Sequence, residues 1–150
     1  LKGRKLRDDN RVLCASPAYL KSRPTPETPE DLQEHQLVAF KDFSPRSLVS
    51  QDGGTAAFDP RGAKSRLIVD DGLSQKVATL SGAGISINSL WSVHQELRSG
   101  ELIHVLPDWQ AKAQSALWLV YPKSNVVSVK VRVFMDFLLD RYKGGHAWRI

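Results

Sequence analysis

The stretch VATLSGAGISINSLWSVHQELRSGELIHVL, Val77–Leu106, decides the fold of this chain. Apolar residues recur at helical spacing from Leu73 through Val77 to Leu80. This periodicity predicts a helix with one apolar face. Gly82 is expected to end that helix, because a residue in the left-handed conformation at a helix end is best made without a β-carbon.

The rest of this stretch alternates short strands with a second helix. Residues 85–87 alternate apolar and polar side chains, which predicts a short buried strand. Ser89 is placed to cap a helix over 90–99, Gly100 is placed to end it, and 101–106 reads as another strand. Strands that alternate with helices predict a parallel sheet with crossover helices, whose ligands gather at the carboxyl ends of strands and the amino ends of helices.

Length and composition indicate a soluble globular protein. The chain has 150 residues, of which 41% are hydrophobic and 25% are charged, as expected for an ordinary domain. No apolar run approaches the roughly 18 residues of a membrane span, and the basic start lacks the apolar core of a signal peptide. We therefore expect a cytoplasmic protein with no membrane partner. The single cysteine, Cys14, excludes an internal disulfide and is expected to be a small apolar residue of a strand.

The net charge of +5 is concentrated at one end of the chain. Residues 1–23 hold seven basic and two acidic side chains, and the remainder is balanced. Clustered Lys and Arg are what phosphate contacts with nucleic acid need. However, no recognition helix or stacking aromatic accompanies these residues, so a solvated basic segment is the preferred interpretation.

Outside the central stretch, capping residues and apolar runs predict the remaining elements. Ser16 with Pro17 and Thr28 with Pro29 are helix starts, and Asp31 is placed as a reciprocal capping carboxylate. The segment 41–54 reads as a loop or an irregular hairpin. The predicted strands are Arg11–Ala15, Leu37–Phe40, an edge strand Thr55–Phe58, Arg66–Val69 and Leu117–Tyr121. A final helix from near Ser128 is predicted to place Val127, Val131, Phe134, Leu138 and Tyr142 along one side.

Catalytic and metal-binding patterns are weak, so we expect no enzyme, no metal and no cofactor. The run Gly84–Asn88 approaches the nucleophile elbow, but it lacks the second glycine and starts a strand. The Gly82 to Gly84 turn follows a helix, whereas a dinucleotide fingerprint follows a strand. The adjacent pair Asp70 and Asp71 is better explained by helix capping than by acid and base catalysis. The histidines lack metal-ligand spacing and are expected to be solvated or locally bonded: His35, His94, His104 and His146.

Five motifs together carry a family resemblance. In order and spacing they are similar to the effector-binding domain of LysR-type transcriptional regulators. The motifs are Arg11-Val-Leu-Cys-Ala-Ser-Pro-Ala-Tyr-Leu20, Thr28-Pro-Glu-Asp-Leu32 with His35, Val69-Asp-Asp71, Gly82-Ala-Gly-Ile85 and Gly100-Glu-Leu-Ile-His-Val-Leu106. The chain departs from the family pattern at Asn88 and Ser89, where a proline is common, and it lacks a tryptophan often found after the His35 region.

The resemblance implies a periplasmic-binding-protein-like (type 2) α/β fold, a sheet with flanking helices, in which a small effector binds in a cleft between two subdomains. Residues 11–114 are expected to form a complete subdomain II, and 1–10 with 115–150 to form part of subdomain I. The winged helix-turn-helix that binds DNA is expected to be absent from this chain, as if it were a fragment. A homodimer or homotetramer is expected. Apolar side chains of the partial subdomain are expected to lie at an interface: Trp118, Val120, Phe134 and Phe137.

Effector contacts are expected where helices begin and at the glycine turn. Free backbone amides and helix dipoles at these places favour an anionic or polar metabolite. The alternative, that Ser16 and Asp71 only cap helices, stays open. The candidate effector-binding residues are Ser16, Pro17, Phe40, Asp71, Gly72, Leu73, Gly82, Gly84 and Ile85.

Three functions are compatible with these patterns. The preferred one is the sensor domain of a LysR-type regulator that controls transcription allosterically. The alternatives are a solute-binding receptor of a transporter with the same fold, and an enzyme on an α/β sheet. A secretory signal would favour the receptor, and a convergent set of catalytic residues would favour the enzyme. The sequence shows neither. The identity of the effector, the target genes and the sign of regulation do not follow from the sequence.

Overall fold

The computed structural model describes residues 1–41, 44–65, 67–112, 115–123, 127–143, 148 and 150. The chain forms two compact units. Unit 1 comprises Leu1–Asp9 and Ala113–Arg149, and unit 2 comprises Asn10–Lys112 with Ile150. The assignment of residues 1–10 with 115–150 and of 11–114 to subdomains of a larger regulator stays a prediction. Within the described ranges, no helix is long and apolar enough to cross a membrane.

Unit 2 holds most of the secondary structure. Its strands are β2 (Arg11–Ala15), β3 (Val38–Phe40), β4 (Arg46–Ser50), β5 (Thr55–Phe58), β6 (Leu67–Val69), β7 (Ser86–Ser89), β8 (Ile103–Val105) and β9 (Trp109–Ala111). Its helices are α1 (Pro17–Lys21), a 3-10 helix (Pro29–Glu34), α2 (Gly72–Leu80) and α3 (Leu90–Ser99). Arg66, the first residue of a predicted strand, lies outside the described residues.

The main sheet of unit 2 is built around β2. Its strand order is β5-β4-β9-β2-β7, and β8 also pairs with β2. The strands β7 and β8 both run antiparallel to β2, which lies between them. Parallel pairing occurs between β3 and β6, and at an isolated bridge between Leu37 and Ile85. The strand pairs of the main sheet are therefore antiparallel, and β3 and β6 form a separate parallel sheet. The prediction of a parallel sheet was wrong for β7 and β8, because both pair with β2, which comes from a distant part of the chain.

Local signals set most helix ends in unit 2. Asp71 caps α2, and Gly82 and Gly100 adopt φ angles of 85° and 82° where α2 and α3 end. Asp31 accepts hydrogen bonds from the backbone amides of Glu27 and Thr28, which forms the predicted capping box at the 3-10 helix. Ser89 occupies the N-cap position of α3, but its side chain makes no capping hydrogen bond.

Two apolar clusters pack on opposite faces of β2. Alternate residues of this strand separate them: Leu13 and Ala15 belong to one cluster, and Val12 and Cys14 belong to the other. This division follows from the alternation of side chains along a strand. The second cluster also contains Val93 of α3, which is fully buried.

The helix α2 does not bury the face that its sequence predicts. Leu73 is 71% exposed and Val77 is 52% exposed, whereas Gln75 and Thr79 are buried. The buried face of α2 is polar because Gln75 and Thr79 hydrogen bond to one another and to β7. Apolar periodicity located the helix correctly, but of its predicted apolar face Leu80 packs against the second cluster while Leu73 and Val77 stay exposed.

Unit 1 pairs two strands and adds one helix. The strand β1 (Lys2–Asp8) runs antiparallel to β10 (Ala116–Tyr121), and α4 (Val129–Lys143) contacts β1. Met135 is the buried residue of α4, while Val131 and Phe134, expected on its apolar side, are 42% and 59% exposed. As predicted, the apolar side chains of this unit are more than half exposed: Trp118, Val120, Phe134 and Phe137.

Three strands were missed or left open by the sequence. The strand β1 carries four basic residues and one large apolar residue, and β9 has only three residues. The segment 41–54 contains β4, which pairs with the predicted edge strand β5 as a hairpin. Cross-strand hydrogen bonding, which local composition does not encode, makes these segments strands.

Candidate functional site

One group of predicted site residues meets at the carboxyl end of β3 and β6. Phe40 is the last residue of β3 and lies beside Val69, the last residue of β6. Asp71 and Gly72 follow two and three residues later and begin α2. These strands and this helix therefore bring together four predicted residues, which we name the Phe40 cluster: Phe40, Asp71, Gly72 and Leu73.

The Phe40 cluster has an open surface. Leu73 is 71% exposed, and the space around the α-carbon of Gly72 is empty to 4 Å where a β-carbon would point. Phe40 is partly buried. The start of α2 is therefore accessible from solvent, beside an aromatic ring and an exposed leucine.

Asp71 gives the Phe40 cluster a fixed negative charge. Its carboxylate accepts a hydrogen bond from the backbone amide of Ser74 at 2.9 Å and another from the Ser74 hydroxyl. These hydrogen bonds hold the pKa of Asp71 below its ordinary value, and the bond from the Ser74 hydroxyl has the larger effect. The carboxylate therefore occupies the place at the start of α2 that an anionic ligand would use, and groups that donate hydrogen bonds suit this surface better.

The other predicted residues meet at the opposite end of α2, and we name them the Ser16 cluster: Ser16, Pro17, Gly82, Gly84 and Ile85. Ser16 is 3% exposed and caps α1, and its hydroxyl accepts a hydrogen bond from the backbone amide of Tyr19 at 3.2 Å. A β-carbon on Gly82 would lie 3.6 Å from that hydroxyl, so the turn after α2 packs against the start of α1.

The Ser16 cluster is closely packed at Gly84 and Ile85. A β-carbon on Gly84 would lie 2.2 Å from the carbonyl oxygen of Gln36. The Ile85 amide donates to that same oxygen at 2.9 Å, and Ile85 is fully buried. The close approach explains why glycine stands at position 84, and it leaves no open surface at this point.

The two clusters lie at opposite ends of α2. The nine residues of α2 separate the start of the helix from Gly82, which corresponds to about 13 Å. The pairing along β3 gives a similar separation. Ile85 pairs beside Leu37, and Val69 pairs beside Phe40, which lies about 10 Å from Leu37 along the strand. The sequence predicted both clusters as one site, and the structure places them at opposite ends of α2; whether one effector contacts both stays a prediction.

Sequence reasoning missed a hydrogen-bonded triad beside the Ser16 cluster. The Gln36 amide donates to the Tyr19 hydroxyl at 2.9 Å, and that hydroxyl lies 2.9 Å from Nδ1 of His35. Tyr19 and His35 are 5% and 4% exposed. His35 was expected to be solvated or locally bonded and instead pairs with a residue sixteen positions away, which no spacing rule would reveal. His146 lies outside the described residues.

A second buried network joins α2 to the main sheet. The Thr79 hydroxyl donates to the carbonyl oxygen of Gln75 at 2.7 Å and lies 2.5 Å from the Ser86 hydroxyl. Asn88 donates to Ser86 at 2.6 Å and to the sulfur of Cys14 at 3.2 Å. Ser86 and Asn88 alternate along β7 and are both buried. This pattern could have indicated a buried polar network, but it was not recognised in the sequence.

Cys14 and Ser86 have the features of structural residues. Both are fully buried, and burial raises the pKa of the Cys14 thiol to about 11. A protonated, inaccessible thiol and a hydroxyl bonded on two sides are poor nucleophiles. Among the described residues, no three His, Cys, Asp or Glu side chains are grouped so as to hold a metal ion.

The helices and sheets of the described residues define the class as a mixed α/β domain, with an open surface at the start of α2. The family model for the LysR substrate binding domain matches residues 1–143. The chain belongs to this family. Its fold is accordingly that of LysR-type regulatory domains, which are periplasmic-binding-protein-like (type 2).

Curated relatives are transcriptional regulators rather than enzymes. The HTH-type transcriptional activator TtdR of Escherichia coli K12 is 32% identical over 134 residues, which cover 89% of this chain and 42% of TtdR. The HTH-type transcriptional regulator CrgA of Neisseria meningitidis serogroup C is 30% identical over 140 residues, covering 93% of this chain and 46% of CrgA. The chain thus spans less than half the length of these relatives.

Solved structures agree with the family. The full-length structure of the Vibrio cholerae virulence activator AphB superposes with a TM-score of 0.78 at 27% identity, covering 95% of this chain and 48% of AphB. The regulatory domain of AphB from Vibrio vulnificus gives a TM-score of 0.77 at 26% identity, covering 94% of this chain and 69% of that domain.

Proposed function

We propose that this chain is the effector-sensing part of a LysR-type transcriptional regulator that acts in the cytoplasm. A small metabolite binds it and shifts the balance between two states of the parent protein, which contacts DNA through an N-terminal winged helix-turn-helix. The observation that carries this proposal is the match of the family model over residues 1–143. The alternative of a transporter receptor shares the fold, but the relatives above are all named as regulators.

We propose that the effector contacts the Phe40 cluster. This cluster is open, and it lies at the carboxyl end of parallel strands and the amino end of a helix, where ligands of α/β sheets bind. Because Asp71 already supplies negative charge there, the effector presents hydroxyl or amino groups to Asp71 rather than a carboxylate. The contact of Ser16, Pro17, Gly82, Gly84 and Ile85 with effector stays a prediction.

The test is a thermal-shift screen of the 150-residue chain against neutral polyols, amino acids and hydroxy acids, followed by calorimetry on any compound that raises the melting temperature. Asp71→Asn should weaken binding about tenfold or more, since a hydrogen bond to a charged group contributes about 1.5–3 kcal/mol. Asp108→Asn, an exposed carboxylate elsewhere in unit 2, is the control.

The same screen decides between the two clusters. If the effector contacts only the Phe40 cluster, Ser16→Ala should leave affinity within about twofold, because the Ser16 hydroxyl is buried and already bonded to Tyr19. A Ser16→Ala variant that loses affinity while Asp71→Asn retains it would transfer the effector site to the Ser16 cluster. A chain that binds none of these compounds, even weakly, counts against the sensor function itself.

We further propose that the parent protein is a homodimer or homotetramer and that a part of it outside this chain covers the exposed apolar face of unit 1. Trp118 and Val120 on β10, and Phe134 and Phe137 on α4, are each more than half exposed. Exposed apolar patches of a few hundred Å² are normally covered. The relatives are more than twice as long as the matched segment, which supports cover by the same polypeptide.

Sedimentation measurements test this assignment. The 150-residue chain should self-associate as its concentration rises, and a longer protein that includes the rest of the regulator should protect Trp118 from fluorescence quenching by iodide. A chain that stays monomeric with Trp118 shielded would contradict the exposed face. The chain alone should also bind no operator specifically, since the described elements include no helix suited to the major groove, and sequence-specific retardation of a duplex would overturn that expectation.

A further inference from the structure

We propose that Tyr19 and His35 are positioning residues that clamp the Ser16 end of α1 to the Gly84–Ile85 turn, and that protonation of His35 opens this clamp. The clamp is a continuous set of hydrogen bonds. It runs from His35 to the Tyr19 hydroxyl, to the Gln36 amide, and from the Gln36 carbonyl to the Ile85 amide. Every member lies in unit 2.

The hydrogen-bond pattern assigns the proton of each group. The carbonyl of Pro24, which can only accept, hydrogen bonds to the imidazole of His35. Since Nδ1 faces Tyr19, Nε2 is the nitrogen that carries the proton toward Pro24. A neutral imidazole has one N–H, so Nδ1 accepts and the Tyr19 hydroxyl donates to it. The Tyr19 oxygen in turn accepts from the Gln36 amide.

Addition of a proton to Nδ1 removes the acceptor that the Tyr19 hydroxyl uses within the described part of the chain. The hydroxyl is buried, and a buried donor without an acceptor is unfavourable. Tyr19 must then rotate or release the Gln36 amide. Because the carbonyl oxygen of Gln36 accepts the Ile85 amide, movement of this peptide disturbs the turn that ends α2. Protonation is thus coupled to the anchor of α2.

The charged groups around His35 oppose each other. Burial comes first and Arg23 second in lowering the pKa of His35 from its ordinary 6.5, while Asp31 and Glu34 of the 3-10 helix act to raise it. Arg23 also stacks over the Tyr19 ring at 5.7 Å, and Glu34 pairs with Lys64 at 2.8 Å. A cavity of about 360 Å³ is lined by His35, Arg23, Glu27, Asp31 and Glu34.

The sign of the pH dependence follows from the lowered pKa. The neutral clamp is fully present above pH 6.5, the ordinary value for histidine. It is lost as the pH falls below that value and through the pKa of His35 in the folded chain. Acid therefore loosens the C-terminal anchor of α2. The further consequence, weaker effector contact at the start of α2, rests on the proposed function.

The experiment is nuclear magnetic resonance of the isotopically labelled 150-residue chain without any ligand, from pH 7 to pH 4.5. It follows the imidazole nitrogens of His35 and the exchange protection of the Ile85 amide. His35→Asn places a side-chain oxygen near the position of Nδ1, so it keeps the acceptor and cannot titrate. Tyr19→Phe removes the hydroxyl. His94→Asn is the control, since His94 lies on α3 and contacts the Trp91 carbonyl.

In the wild-type chain we expect proton attachment at Nε2 above pH 6.5 and a tenfold or greater loss of Ile85 protection as His35 titrates. His35→Asn should keep protection at every pH, Tyr19→Phe should lower it at every pH, and His94→Asn should match the wild type. Unchanged Ile85 protection in a wild-type chain whose His35 is protonated would overturn the proposal, as would a pH-dependent loss that persists in His35→Asn.

These outcomes are independent of effector binding. A chain that passes this test but binds no compound in the thermal-shift screen keeps the clamp and loses the proposed function. A chain that binds a compound through Asp71 but shows no titration-linked change at Ile85 keeps the function and loses the clamp. If Tyr19→Phe does not fold, His35→Asn and the wild type still decide the question.

Discussion

Replacement of Gly84 by alanine should be the most destabilising glycine substitution in unit 2. The added β-carbon would lie 2.2 Å from the carbonyl oxygen of Gln36 and 2.9 Å from its carbonyl carbon. The segments that contain Gly84 and Gln36 must separate by about 1 Å to reach ordinary contact. Both neighbours are backbone atoms, so no side chain can turn away to make room.

The cost follows from what that separation breaks. The Ile85 amide donates to the Gln36 carbonyl, and the Val38 amide donates to the Ile85 carbonyl, both at 2.9 Å. Loss of two such bonds costs about 0.5–1.5 kcal/mol each. The φ angle of 152° at position 84 adds about 1–3 kcal/mol of backbone strain for a residue with a β-carbon. The free energy of unfolding should therefore fall by about 2–6 kcal/mol.

Two matched glycines separate strain from steric conflict. Gly82 has a φ of 85° and only the Ser16 hydroxyl near its β-carbon position, so Gly82→Ala should cost about 1–2 kcal/mol from conformation alone. Gly72 meets nothing within 4 Å and has no positive φ, so Gly72→Ala should be neutral or stabilising by up to about 1 kcal/mol.

The assay is urea-induced unfolding followed by far-ultraviolet circular dichroism and tryptophan fluorescence. The expected order of destabilisation is position 84, then 82, then 72. A Gly84→Ala chain within about 1 kcal/mol of the wild type would refute the contact with Gln36, and a larger loss at Gly82 than at Gly84 would refute the division between strain and conflict.

Three further predictions concern the interior of unit 2. Thr79→Val should lower the free energy of unfolding by about 1–3 kcal/mol, because it removes a hydroxyl that bonds to Ser86 and to the backbone. An unchanged denaturation midpoint would show that this hydrogen-bond network contributes nothing to stability. Leu102 is 1% exposed, so Leu102→Ala should lower the free energy of unfolding by about 2–5 kcal/mol. Leu73→Ala should change it by less than about 0.5 kcal/mol, because Leu73 is exposed. Equal losses of stability in thermal denaturation would contradict the orientation of α2. Cys14 should react slowly with a thiol reagent at pH 8 in the folded chain and rapidly in urea, since its pKa of about 11 and its burial leave little accessible thiolate. Fast labelling of the folded chain would contradict both the burial and the raised pKa of Cys14.

The sequence alone determined the features that depend on neighbouring residues. The cap at Asp71, the capping box at Asp31 and the helix ends at Gly82 and Gly100 involve contacts within about five positions. Such contacts form wherever the local chain adopts the right backbone angles, so residue type and spacing are enough to predict them. The family resemblance added the fold class, which composition and periodicity narrowed only to α/β.

Tertiary structure decided which faces are buried, which strands pair and which predicted site residues meet. Leu73 and Val77 of α2 face outward because Gln75 and Thr79 find hydrogen-bond partners in β7, a segment brought close by the turn at Gly84. Phe40 and Ser16 lie at opposite ends of α2 because a helix that connects parallel strands must return along their length. Pairing of this kind depends on the whole chain, since each strand takes its neighbour from residues far away in sequence.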